Sequence, residues 1–102
     1  MDKQTQLYKT KRVNLKKLSR LENKLFHDSI LDSTGGICQL CNEAEGADFH
    51  HTLWGCYGAN KDDSRQILVC RKCHELCHKE KHGVVNTIAI KISELNWKEY
   101  NV

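Results

Sequence analysis

The chain of 102 residues has no proline, no internal repeat and no low-complexity tract. Those absences exclude a proline-rich linker and a flexible biased segment. The first ten residues, MDKQTQLYKT, lack the apolar run of a secretory signal, and no stretch is long enough to cross a bilayer. A cytoplasmic protein with no membrane partner is therefore expected. A third C-x-x-C pair is also missing, which removes a cross-brace module of the RING kind. At this length one small domain with a limited apolar core is expected.

What the chain does have is metal-seeking side chains, six cysteines and six histidines. Four of the cysteines form two C-x-x-C pairs, Cys38/Cys41 and Cys70/Cys73, separated by 28 residues. Paired turns of this kind each aim two thiolates at one point, the arrangement of a tetrahedral zinc in a reduced compartment rather than a disulfide framework. With all four positions filled by protein, such an ion is structural and contributes folding energy outright. Cys77, one turn after Cys73, reads as a small buried hydrophobe or as packing on that site. Cys56, in the glycine-flanked loop "WGCYG", has no assigned role.

The net charge of +3 hides an asymmetry, because residues 1–30 hold eight basic and three acidic side chains while the remainder holds eight and ten. A basic arm on a nearly neutral body suits a polyanion, most simply nucleic acid. Lys11, Arg12, Lys16, Lys17 and Arg20 are its candidate contacts, and Lys61, Arg65, Arg71 and Lys72 are a second set; a solvated face that only confers solubility is the other reading. Trp54 and Tyr57 could stack on bases or pack in the core.

Leu15, Leu18, Leu21, Leu25 and Phe26 recur at helical spacing between a cap at Asn14 and Ile30, and "DSTGG" at 32–36 ends that helix. "DFHHTL" and "RQILVC" read as short strands. A helix is expected from Cys73 to His82 with Gly83 as its C-terminal cap. The tail fits a helix or a strand, with helix preferred. Three segments follow: a basic N-terminal helical arm over 1–34, a metal-bound domain over 35–83 and a C-terminal helix or strand over 84–102.

His74 and His78 stand at i and i+4, one turn apart on one helix face, as chelation of a single ion requires. A zinc-pinned strand, loop, strand and helix would bring His50 towards them. His51 would point elsewhere, since successive strand side chains diverge. One imidazole would then bind metal while its neighbour stayed available as a base near pH 7. His82 has rotated further round and is the weaker candidate.

"FHHTL" followed by "ILVCRKCHELCH" resembles the HNH endonuclease signature of the His-Me finger (ββα-metal) superfamily, in its zinc-containing, phage-type branch. The resemblance covers residues 36–83 and implies a small α+β zinc-stabilised fold. In it a ββα-metal core carries a four-cysteine zinc knuckle; the basic N-terminal helix before it, read from charge and spacing, and the tail lie outside the resemblance. It implies His51 as general base, and His50, His74 and His78 as ligands of a catalytic divalent ion. It further implies hydrolysis of DNA to 5′-phosphate and 3′-hydroxyl ends, the ion steadying the phosphate and the departing oxygen, in phage or prophage DNA processing within a bacterial cell. Three imidazoles suit Zn²⁺, Ni²⁺ or Mn²⁺ better than Mg²⁺. The family's middle asparagine, which orients the base, is missing. Gln66 stands in its place, with Arg65 or Asn60 as weaker substitutes. A lone active site would nick one strand, so cutting both would call for a homodimer. A zinc-bound nucleic-acid-binding module without catalysis is the alternative.

Overall fold

The computed structural model describes residues 15–53, 61–80 and 83–102. Lys11, Arg12, Asn14, Trp54, Cys56, Tyr57, Asn60 and His82 lie outside them. The described chain is a small α+β domain in the order α1 (Arg20–Thr34), β1 (Asp48–His51), β2 (Gln66–Val69), α2 (Arg71–Lys79) and α3 (Val84–Tyr100). Among the described residues, no helix is long and apolar enough to cross a membrane.

Helix α1 starts later than its apolar spacing suggests. Ser19 is the N-cap and forms a capping box with Glu22, each side chain bonding the other's backbone N–H. Lys16, Lys17 and Leu18 therefore precede the helix. Their backbone is taken by a distant partner, since Asp63 N–H donates to Lys16 O and Leu18 N–H donates to the Asp63 carboxylate. The end is as the glycines imply: Gly35 is left-handed at φ 67°, and the Gly36 N–H reaches back to Leu31 O.

Strands β1 and β2 pair antiparallel, with Asp48 opposite Val69 and His51 opposite Gln66. Their period-two alternation sorts side chains between two packed faces. Leu68 joins Phe26 and Ile30 of α1, with Phe49, Trp97 and Tyr100 around them. Ile67 and Val69 point to the other face and pack with Cys38, Cys70, Cys73 and Ala89. Helix α1 is thus a member of the core. Leu21 and Leu25, which share its apolar pattern, remain exposed.

Two further boundaries differ from expectation. Helix α2 begins at Arg71 because Cys70 caps it, its sulfur accepting from Cys73 N–H. Gly83 does not end α2. It is the N-cap of α3, and Glu80 closes α2. The tail is helical, but it buries Ala89, Ser93 and Asn96 while Ile88 and Leu95 stay exposed. The polar residues face inward because they have partners there. Ser93 Oγ pairs with Thr52 Oγ1 at 2.8 Å, and Asn96 Nδ2 donates to Gln66 O and Gln39 Oε1. Gln39 in turn accepts from Leu68 N–H with its side chain and donates its own N–H to Leu68 O.

Candidate metal centres

The segment Gly36–Gly46 forms the first cysteine turn, closed by a bridge between Ile37 and Glu45. Cys38 Sγ accepts from the N–H groups of Leu40 and Cys41 at 3.4 and 3.5 Å. Cys70 makes the equivalent bond to Cys73 N–H at the head of α2. These two turns bring the sulfurs of Cys38, Cys41, Cys70 and Cys73 within 4.8 Å of one another. Around a tetrahedral zinc the sulfurs would stand about 3.8 Å apart, given bonds of roughly 2.3 Å. The donor set fits a zinc ion.

Thiol electrostatics favour the same reading. Burial alone would raise Cys38, but N–H groups of Cys41, Cys70 and Leu40 aimed at its sulfur bring it down to about 6. Burial, together with the neighbouring sulfurs, raises Cys73. Four thiols in one pocket share protons that a cation would displace. Cys77 is buried beside them, its thiol raised by burial, and is outside the four-sulfur group.

The second cluster is made of imidazoles. His50 lies on the β1 face turned to α2, and ligand atoms of His50, His74 and His78 fall within 4.8 Å of one another. Nε2 of His74 and Nε2 of His78 are 3.1 Å apart. Two nitrogens on one tetrahedral ion would be separated by about 3.3 Å. His74 Nδ1 faces Asp48 Oδ2 at 3.2 Å, the carboxylate–histidine arrangement that presents Nε2 to a metal. His50 is 3 % exposed, and burial, then the nearby His74 and His78, push it down to about 4. A neutral imidazole is the ligand form. His78, at the surface, opens the cluster to solvent.

His51, one residue on, faces the α1 side. It is outside the trio, half-buried, and its Nε2 meets Asp63 Oδ1 at 3.1 Å. Burial lowers its pKa, while the hydrogen bond and charge of Asp63 act in the opposite direction. Gln66, its cross-strand partner, makes no side-chain hydrogen bond to it. The Gln66 amide donates to Asn23 Oδ1 and to Asp63 O and accepts from His27 Nε2 at 2.7 Å. His27 itself stacks on Phe49 with centroids 3.8 Å apart. Cross-strand pairing places Gln66 opposite His51, but its longer side chain is drawn to α1.

Of the basic residues, Lys61 is the one whose charge acts on both His50 and His51. Arg71 is exposed at the start of α2, and Arg65 is half-buried beside the strands. Lys16, Lys17 and Arg20 are exposed, and the Lys16 ammonium lies 5.7 Å from the Trp97 ring. Sequence reasoning missed Asp48 and Asp63. Strand alternation could have found Asp48, two residues before His50; nothing but the acidic pair at 62–63 pointed to Asp63. No family model, curated protein or solved structure matches this chain.

Proposed function

We propose that the protein is a metal-dependent DNA endonuclease in which His51 is the general base and His50, His74 and His78 hold the catalytic ion. The observation that carries this reading is the convergence of three imidazoles on one point, with a fourth on the opposite strand face and outside the group. Two antiparallel strands followed by a helix, pinned by four cysteines, also agree with a ββα-metal core. A divalent ion in the trio would supply Lewis-acid stabilisation of charge developing on a phosphate. His51 takes the proton of the attacking water. Asp48 holds His74 in register, and Lys61, Arg65 and Arg71 are cations beside the strands and at the head of α2 for a phosphate backbone. The cysteine site takes a structural zinc.

The test is nicking of supercoiled plasmid by the zinc-loaded protein with added Mg²⁺, Mn²⁺, Ni²⁺ or Zn²⁺. His51→Ala should lower the rate about 10²- to 10⁴-fold, the usual worth of a general base, with zinc content and fold retained. Wild-type protein that binds DNA and never nicks it with any of these ions would leave a zinc-bound nucleic-acid-binding module instead.

A further inference from the structure

The His51 ring is held by a network whose hydrogen-bond polarity can be read from its ends. At one end Leu18 N–H, which can only donate, reaches Asp63 Oδ2 at 2.9 Å. At the other, Asp63 O, a carbonyl that can only accept, takes a bond from Gln66 Nε2 at 2.7 Å. That second bond fixes the Gln66 amide, so its other Nε2 contact makes Asn23 Oδ1 an acceptor. The Asn23 amide is then also fixed, and its Nδ2 donates to Asp63 Oδ2 at 3.3 Å. Both donors to Oδ2 leave no place there for a carboxyl proton. Partial burial would raise the Asp63 carboxyl, but the donors from Leu18 and Asn23 help hold it below its ordinary range. The Oδ2 side of the Asp63 carboxylate is purely an acceptor.

We infer that Asp63 is the positioning residue of His51, fixing the imidazole as its Nε2–H tautomer and so making Nδ1 the atom that takes the proton. The assignment of a proton-accepting role rests on the nuclease reading; the tautomer does not. Asp63 Oδ1, having no proton to give, can only accept from His51 Nε2 at 3.1 Å, and a neutral ring then carries its lone pair on Nδ1. The carboxylate is itself anchored by the segment before α1, through Asp63 N–H to Lys16 O. The N-terminal segment thus sets the ring orientation from the side opposite the imidazole trio. Gln66, the expected orienting residue, contributes one step away by fixing Asn23.

The experiment is a long-range ¹H–¹⁵N spectrum of the zinc-loaded full chain, labelled at histidine, beside single-turnover kinetics of plasmid nicking. Wild-type His51 should show a protonated Nε2 and an unprotonated Nδ1 at neutral pH. In Asp63→Asn, an amide oxygen can still accept from Leu18 N–H, but the NH2 then faces Nε2 and favours the other tautomer. The nicking rate constant should fall about 10²- to 10⁴-fold, as loss of the productive tautomer does in other histidine–carboxylate pairs, with substrate affinity changed less than about threefold. Asp63→Glu, which keeps an acceptor, should retain the Nε2–H form and recover part of the rate. A wild-type ring protonated at Nδ1 would overturn the inference, and that measurement needs no variant to fold. An unchanged rate in folded Asp63→Asn would overturn it as well. Wild-type protein that shows the Nε2–H tautomer and cleaves nothing would count against the nuclease reading alone.

Discussion

His50 is buried among two other imidazoles, and its preference for the neutral form has a consequence for stability. Its pKa lies at about 4 in the fold against an ordinary 6.5, so between those values the unfolded chain binds the additional proton. The stabilisation is complete above about pH 6.5 and is lost as pH falls towards 4, with an upper bound of roughly 3 kcal/mol. His51, also lowered, acts with the same sign. Asp63 acts in a separate window: its carboxyl is lowered from 3.8, so its contribution persists until more acid conditions. Urea midpoints measured from pH 7 to 4.5 should fall steadily in the wild type, and His50→Gln should flatten that slope without abolishing it. Saturating divalent ion should move the loss to lower pH by competing with the proton.

Between the cysteine turn and β1, Gly46 passes so close to β2 that an added Cβ would overlap Cγ and both Cδ atoms of Leu68. Leu68 is held among Phe26 and Ile30 and has little room to yield. Gly46→Ala should cost about 1–3 kcal/mol in denaturant unfolding, with zinc stoichiometry unchanged. Combining it with Leu68→Ala should cost less than the sum of the two changes, because the smaller side chain vacates the overlap. Much of this level was legible in the sequence. The two C-x-x-C turns, the i and i+4 histidines and the divergence of His50 from His51 follow from local geometry that spacing encodes. The burial faces of α1 and α3 did not follow. Leu21, Leu25, Ile88 and Leu95 fit an apolar stripe and stay exposed; of the α1 pattern Phe26 goes inward, and on α3 Ser93 and Asn96 do, chosen by partners 30 to 74 residues away. The same distance hid Asp63, since nothing local ties residue 63 to Leu18 or Asn23.

For the molecule as a whole, the four-sulfur site is built into one of two small packed faces, where Cys38, Cys70 and Cys73 stand beside Ile67, Val69 and Ala89. A core of this size would gain much of its stability from a metal held by the four sulfurs. Cys70 also caps α2, a role the serine hydroxyl can keep, so Cys70→Ser tests the loss of the thiolate by itself. It should abolish zinc retention and the cooperative thermal transition in circular dichroism, as should a strong chelator on the wild type. A folded, zinc-free Cys70→Ser protein would show that the thiolates are dispensable. Association is constrained as well. The outer rim of β2 is occupied: Leu68 N–H and C=O are taken by Gln39, and Gln66 C=O by Asn96. The backbone N–H and side-chain oxygen of Gln39, with the Asn96 amide, do there what a third strand would do. A second copy therefore finds Leu68 N–H and C=O and Gln66 C=O already taken along that side, and strand addition onto β2 is opposed there.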